Sequence, residues 1–147
     1  MLVYLDNCCY NRPYDDQTQL KISIETQAKL RIQNLIKDRK MDLATSYISF
    51  YENSKNTQDF KRKSIESFMK RNAKINIHSD KSDEIEAKAN EIMATGVKPY
   101  DAYHVAAAII AGCDYFFTTD RRLLKFKTEE VIMANPVDVL EILEELE

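Results

Sequence analysis

Glycine is scarce in this chain of 147 residues, and the only two are Gly96 and Gly112. Both follow segments of helical pattern, where the left-handed residue that ends a helix favours glycine. A nucleotide-binding dehydrogenase or a P-loop enzyme needs a glycine-rich loop around its phosphates. Two glycines at helix ends do not supply such a loop, so both classes are excluded.

Cysteine and histidine are also few. The three cysteines are Cys8, Cys9 and Cys113, and the two histidines are His78 and His104. An odd number of cysteines, two of them adjacent, does not fit a secreted disulfide framework, and reduced, buried thiols are expected instead. A structural zinc site would need two paired ligand clusters, and the chain has no such spacing.

Long hydrophobic runs are absent. The longest apolar stretch, "VAAAIIAG", is too short to cross a bilayer, and the N-terminus lacks the features of a signal peptide. We therefore expect a cytoplasmic protein with no membrane partner. Residues 1–147 are expected to form one domain, because a chain of this length buries about 70% of its unfolded surface.

Short apolar runs alternate with segments of helical period along the whole chain. Strands are predicted at "LVYL", "MDLATS", "KINIH", "CDYFFTTD" and "EEVIMAN". Helices are predicted after a loop at Pro13 from Asp16 to Lys40, after Ser46, around the stripe from Phe60 to Met69, from Asp80 to Gly96, from Pro99 to Ala111, and at the C-terminus. This alternation indicates parallel β-α-β units.

Apolar stripes assign the buried faces of two of these helices. Leu20 and Ile24 begin the stripe of the first long helix, and Phe60 begins the stripe of the helix that precedes "KINIH". The opposite face of that second helix carries most of the basic residues between Lys55 and Lys74. Contact with a polyanion and a solvated helix face are both open interpretations of this basic cluster.

Four acids fall where strands end or helices begin. Asp6 and Asp120 end predicted strands, Asp101 lies in a first helical turn, and Glu52 follows the second strand. The carboxyl ends of parallel strands share one edge, where ligands bind, so we expect these acids to converge. Close carboxylates repel one another unless a cation neutralises them, and Mg²⁺ or Mn²⁺ suits such oxygen ligands.

Each acid also has a structural explanation when it is taken alone. Asp101 favours a helix start by about 0.3–1 kcal/mol, and Asp6 or Asp120 is suited to begin a turn. Glu52 would be solvated, although its neighbour Tyr51 indicates a largely buried segment. The joint placement at one sheet edge is what favours a site.

Several polar residues are expected near these acids. Each would orient an acid, contact substrate or only stabilise the fold. Asn7 also suits a turn cap, Ser46 suits a helix N-cap, and His104 also suits a packed core position. Cys8 and Cys9 are expected to pack in the turn behind Asp6. The full set of candidates is Asn7, Ser46, His104, Thr118, Thr119, Arg121 and Arg122.

The sequence resembles the PIN-domain family, metal-dependent ribonucleases that include the VapC-type toxins of bacterial toxin–antitoxin pairs. The resemblance covers nearly the whole chain and rests on "VYLDN", "SYISFYE", "KPYDAYHVAAA" and "CDYFFTTD" in this order. It implies an α/β fold, a three-layer α/β/α sandwich around a parallel sheet of about five strands. It also implies that Asp6, Glu52, Asp101 and Asp120 are the catalytic and metal-binding acids.

The function implied by this resemblance is a Mg²⁺- or Mn²⁺-dependent endoribonuclease. Its partners would be an RNA substrate and a cognate antitoxin, with phosphates held by "RRLLKFK" and by the helix from Lys61 to Arg71. The alternative is a non-catalytic module of the same fold that binds RNA or protein. The terminal helix is expected to pack on its own sheet, and packing on a second copy, as a homodimer, is the other arrangement.

Overall fold

The structure, a computed structural model, describes residues 1–11 and 17–147, and of Asn11 only the backbone. The strands are β1 (Leu2–Leu5), β2 (Asp42–Ser46), β3 (Ala73–Ile77), β4 (Tyr115–Phe117) and β5 (Ile132–Ala134). The helices are α1 (Asn7–Asn11), α2 (Leu20–Lys37), α3 (Tyr47–Ser54), α4 (Asp59–Asn72), α5 (Ser82–Met93), α6 (Pro99–Ala111), α7 (Arg121–Leu124) and α8 (Leu140–Leu146). Short 3₁₀ turns lie at Ser79–Lys81 and Pro136–Val139.

The five strands form one parallel sheet in the order β3-β2-β1-β4-β5. Side chains of β1 alternate between its two faces, as the two-residue period of a strand requires. Tyr4 joins a core with α5 and α6, whereas Val3 and Leu5 join a second core with α2, α4 and α8. The predicted α/β sandwich around a parallel five-stranded sheet is confirmed.

This strand order places β1 between β2 and β4. The chain adds β2 and β3 on one side of β1 and then β4 and β5 on the other side, so the strand order reverses at the centre of the sheet. The carboxyl ends of β1, β2 and β4 therefore lie side by side. A crevice at such a reversal is where open α/β sheets bind their ligands. Asp6 and the start of α3 both lie at this edge.

Several predicted boundaries differ from the observed ones. The predicted loop at Pro13 and helix start at Asp16 lie outside the described residues, and the helix observed there runs from Leu20 to Lys37. The helix predicted from Asp80 is observed as a 3₁₀ turn followed by α5, which ends at Met93. The strand predicted to end at Asp120 ends at Phe117.

Three predicted core positions are wrong. Leu20, Ile24 and Phe60 are 76%, 41% and 78% exposed. The reason is length, because the 18 residues of α2 span about 27 Å whereas a five-residue strand spans only about 17 Å. The first turns of α2 and α4, with Leu20 and Phe60, therefore extend beyond the sheet. Ile24 is exposed because Glu25 and Thr26 occupy the buried face of α2 at that turn.

The helix ends otherwise follow the expected chemistry. Gly112 ends α6 with a φ of 76°, and Gly96 has a φ of 104° in the turn after α5, conformations that side chains with a Cβ rarely adopt. Pro99 opens α6.

Leu143 of α8 is fully buried against the chain's own core. No helix within 1–11 and 17–147 has the length and apolar character to cross a membrane.

Candidate active site

Asp6 lies directly after β1, and its buried carboxylate is held in place by several donors. The backbone N–H of Asn7 donates to Oδ1 at 2.8 Å, and the Thr118 hydroxyl donates to Oδ2 at 2.8 Å. The Cys8 thiol lies 3.6 Å from the same Oδ2. These hydrogen bonds keep the carboxylate oriented toward the crevice between β1 and β4.

Cys8 does more than fill the turn behind Asp6. The Thr119 N–H donates to its sulfur at 3.4 Å, so Cys8 joins α1 to the segment after β4. The ammonium group of the buried Lys29 donates to the Cys8 carbonyl at 2.6 Å and holds α1 against α2. Cys9, at 1% exposure, lies in the core and donates to the Phe117 carbonyl at 3.3 Å. The expected packing of both cysteines is confirmed, because Cys8 packs against the same core, and the hydrogen bonds of both thiols are an addition to it.

Thr118 connects two of the four acids. Its hydroxyl donates to Asp6 and accepts from the backbone N–H of Asp120 at 3.1 Å. The exposed Asp120 in turn accepts from the backbone N–H of Arg122 at 2.9 Å and caps α7. The turn explanation for Asp120 is thus correct for one oxygen, and the other carboxylate oxygen is left for a second interaction.

Asp101 reports the convergence of the acids through its pKa. Burial in the first turn of α6, together with the charges of Asp6, Asp120 and Glu52, raises the pKa of Asp101 to about 6 against the lowering effect of His104. These causes require that each of the other three acids lies near Asp101. The structure therefore brings together the four carboxylates that the sequence placed at one sheet edge.

Glu52 is fixed by a buried polar network under the crevice. Its carboxylate bonds to Nε2 of His104, whose Nδ1 lies 2.7 Å from the Tyr4 hydroxyl. That hydroxyl also lies 2.7 Å from Oγ of Ser46 and 2.8 Å from Oγ of Ser49. Burial raises the pKa of Tyr4, so the phenol stays protonated and donates one of these bonds.

A family model of the PIN domain matches residues 38–129, a span that contains Glu52, Asp101 and Asp120. The chain belongs to the PIN-domain family. Asp6 lies outside the matched span, and the sheet places it beside the other three acids.

One solved structure supports the fold of this PIN domain. The chain is 16% identical to a chain in the crystal structure of VapBC2 from Rickettsia felis bound to a DNA fragment from their promoter. The match covers 92% of this chain and 98% of that chain, with a TM-score of 0.55. At this identity the likeness extends to the fold alone. No curated protein matches the chain.

Basic residues flank the acids of the PIN domain on two sides. On one side, a cavity of about 390 Å³ is lined by Asp101 and Asp120 together with Lys98, Arg122, Lys125 and Lys127. On the other side, a cavity of about 220 Å³ is lined by Glu52 and Asn7 together with Lys55 and Lys61. Arg121 is exposed at the start of α7.

The two interpretations of the basic cluster between Lys55 and Lys74 apply to different residues. Four of these cations form ion pairs with acids at the surface and belong to solvated faces. The pairs are Arg62–Asp59, Lys63–Asp59, Lys70–Glu66 and Lys74–Asp42. Lys55 and Lys61 instead line the cavity beside Glu52. Only these two lie where they would contact a ligand of the acidic crevice.

The fit of a divalent cation is judged from the donor set. Within residues 1–11 and 17–147, no three side chains of His, Cys, Asp or Glu are grouped tightly enough to hold one ion directly. However, the buried Oδ1 of Asn7 has no hydrogen-bond partner among the described residues, and it lines the same cavity as Glu52. Mg²⁺ keeps several water ligands and uses one or two carboxylates, so a hydrated ion fits these donors.

The raised pKa of Asp101 leads to a prediction for the metal-free protein. The folded state binds the Asp101 proton more tightly than the unfolded chain does, so this proton stabilises the fold below about pH 4 and its contribution is lost as the pH rises through 6. Because the side chain is half-buried, solvent screening reduces the effect to about 1 kcal/mol. Asp101→Asn should therefore raise the melting temperature by about 2–4 °C at pH 7 in EDTA.

Thermal unfolding of both proteins at pH 4 and pH 7 checks this prediction. The difference between them should shrink at pH 4, where Asp101 is protonated in the folded state and about half protonated in the unfolded chain. A difference that is equal at both pH values would mean that the fold does not raise the pKa of Asp101.

Sequence reasoning missed four functional side chains, which are Tyr4, Ser49, Lys29 and Cys8. Tyr4 had a detectable signal, because it is the one polar-tipped residue in the buried strand "LVYL". Ser49 and Lys29 lie on helices among residues of similar type, with no signal of their own. The sequence predicts His104 as a packed core residue or as a group that contacts substrate or orients a neighbouring group, and the structure shows it buried and bonded to Glu52.

Proposed function

We propose that this PIN domain is a metal-dependent endoribonuclease that hydrolyses phosphodiester bonds of RNA. The observation that carries the proposal is the convergence of Asp6, Glu52, Asp101 and Asp120, reported by the raised pKa of Asp101. An acidic crevice repels an RNA phosphate unless a cation lies between them. The basic side chains on both sides of the crevice supply the complementary charge for the flanking phosphates.

The proposed cation is a hydrated Mg²⁺ or Mn²⁺ between Asp6, Asp101 and Asp120, with one or two of these carboxylates as direct ligands. The other carboxylates, Glu52 and the Asn7 amide oxygen would accept hydrogen bonds from its bound water. When bound, such an ion polarises the phosphate and lowers the pKa of an attacking water molecule. The chain's own residues position these groups. Thr118 fixes the Asp6 carboxylate, and His104 fixes the Glu52 carboxylate.

The remaining polar candidates have separate proposed roles. Arg122 would bind a phosphate next to Asp101 and Asp120, and Arg121 would bind the strand farther from the crevice. Ser46 and Thr119 act through other residues, because Ser46 bonds to Tyr4 and Thr119 bonds to Cys8. Both are buried and would not contact RNA.

Incubation of the purified protein with labelled single-stranded RNA tests the proposal. We expect cleavage in Mn²⁺ or Mg²⁺ and none in EDTA. RNA binding without cleavage in any of these conditions would favour the alternative, a non-catalytic binding module of the same fold. Cleavage that persists in EDTA would contradict the proposed role of the metal.

We also propose that the protein is the toxin of a toxin–antitoxin pair. The structural neighbour is a VapBC2 complex, which supports a protein partner for this chain. Expression of the chain alone should arrest growth, and co-expression with the product of an adjacent small gene should restore it. Unimpaired growth in both cases would contradict this role. A single domain over residues 1–147, a cytoplasmic location and a homodimer stay predictions.

A further inference from the structure

A groove lined by tyrosines lies between α3 and α6, next to the acidic crevice. Its volume is about 360 Å³, and its walls are formed by Tyr47, Ile48 and Tyr51 of α3 and by Pro99, Tyr100 and Tyr103 of α6. Tyr51 and Tyr100 are each 51% exposed, which is unusual for large aromatic side chains in a folded chain. The fold therefore leaves two aromatic rings open to a ligand.

The groove is continuous with the proposed active site. Tyr51 directly precedes Glu52, and Tyr100 directly precedes Asp101. The two helices that form its walls are joined by the bond between Glu52 and His104. The same contact that positions an acid of the crevice therefore also sets the width of the groove, so the groove exists before any ligand binds.

The chemistry of the groove suits a flat ring attached to a negative charge. Tyrosine rings offer π faces for stacking, whereas an aliphatic groove would offer only apolar area. The Lys55 ammonium lies 4.8 Å from the centre of the Tyr51 ring. Lys55 also lines the cavity that holds Glu52 and Lys61, so positive charge lies between the groove and the acids.

We propose that the groove holds one unstacked base of single-stranded RNA, with the phosphate of that nucleotide bound at Lys55 and the scissile phosphate in the acidic crevice. The inference rests on the proposed function and adds to it a base-binding subsite. A base stacked on the exposed face of Tyr51 or Tyr100 anchors the strand at a fixed distance from the acids. Cleavage would then require an unpaired nucleotide at one position relative to the cut, because a base within a duplex cannot enter.

A second copy of this chain is the other occupant that an apolar groove could have. The charge next to the groove favours RNA, because a second copy would bring its own Lys55 toward this one if the two grooves faced each other across a twofold axis. The variants described below separate the two occupants.

The test measures RNA affinity in the Asp6→Asn background with Mg²⁺ present, so that a cation can occupy the crevice while cleavage is too slow to consume the probe. The probes are a single-stranded RNA decamer and a set of decamers that each carry one abasic nucleotide. Stacking of a base on an aromatic side chain predicts that one abasic position weakens binding by about 5- to 150-fold. In the Tyr51→Leu/Tyr100→Leu variant, the intact decamer should bind as weakly as that abasic decamer.

Two matched variants control for side-chain size and for exposed aromatic residues in general. Tyr51→Phe/Tyr100→Phe keeps both π faces and should retain the affinity and the abasic effect. Phe60→Leu removes an aromatic side chain that is 78% exposed but does not line the groove, and it should change neither.

Three results would overturn the inference. The first is an affinity that no abasic position lowers, and the second is full affinity in the leucine variant. The third is a leucine variant that converts a dimer into a monomer in sedimentation, which would assign the groove to a second copy. If wild-type protein still cleaves RNA in Mn²⁺, only the groove inference fails, whereas absence of both binding and cleavage would remove the proposed function as well.

Discussion

Asp6→Asn is expected to lower the rate of RNA cleavage by about 100-fold or more, because the loss of a metal ligand or of a group that orients one typically costs 10- to 100-fold or more. The substitution removes one negative charge from the crevice and keeps the shape of the side chain. The asparagine oxygen still accepts from the Asn7 N–H, and the Thr118 hydroxyl rotates to accept from the new amide. The fold is therefore expected to persist while the chemistry is lost.

Initial rates on labelled single-stranded RNA in saturating Mn²⁺ measure this effect, and thermal unfolding verifies that the variant folds. Asp42→Asn is the matched control, because Asp42 begins β2 at the opposite edge of the sheet and pairs with Lys74 at the surface. Its loss should cost at most about 1 kcal/mol of stability and leave cleavage unchanged. Equal rates for Asp6→Asn and wild type would place the chemistry elsewhere.

The positions of the acids could be predicted because they depend on short-range patterns. Asp6 follows a buried apolar run, and Asp101 follows a proline that opens a helix. Once β1, β2 and β4 are neighbours in a parallel sheet, the ends of these elements must share one edge. No contact between distant side chains had to be known for this step.

The supporting contacts could not be predicted, because they join residues far apart in the sequence. The Tyr4 hydroxyl meets Ser46 across 42 positions and His104 across 100 positions. The periodicity of the sequence does not predict these hydrogen bonds, because they depend on the packing of α3 and α6 over β1. The burial of Lys29 and Glu25 of α2 could not be predicted either, because the helical period alone assigns charged residues to the solvent-exposed face.

The burial predicted from the apolar stripes is wrong where a helix is longer than the strands beneath it. Leu20 and Phe60 follow the correct helical spacing, yet the strands beneath their helices are too short to cover them. Spacing predicts which face of a helix is buried, but it does not predict how much of that face has a partner. Tyr51 is exposed for another reason, since α3 has only eight residues, and its ring lines the groove beside the acids.

Tyr4→Phe is expected to destabilise the protein by about 1–3 kcal/mol, because it removes the hydroxyl that bonds to three buried partners. Ser46 and Ser49 can partly compensate, since their hydroxyl oxygens lie 3.4 Å apart. Nδ1 of His104 has no such substitute and is left buried without a partner. A loss of 2 kcal/mol corresponds to a melting temperature lower by about 4–8 °C for a chain of this size.

The same substitution should lower cleavage by about 10-fold, although the Tyr4 hydroxyl does not reach the crevice. Without the bond to Tyr4, the His104 ring is free to rotate, and the Glu52 carboxylate that it holds loses its orientation. Tyr115→Phe is the matched control, because it deletes a hydroxyl from an aromatic strand residue that stacks on Phe117 outside this network. Calorimetry and initial rates measured on both variants separate the two effects.

A Tyr4→Phe protein with lower stability but wild-type cleavage would show that the network serves the fold alone. Loss of cleavage at temperatures where the variant is fully folded would instead show that the network positions Glu52. The second result is expected, because the hydrogen bonds run without interruption from Tyr4 in the centre of the sheet to Glu52 at its edge. The network therefore ties the Glu52 carboxylate to the rigid sheet. A helix of only eight residues would not by itself fix the position of this side chain.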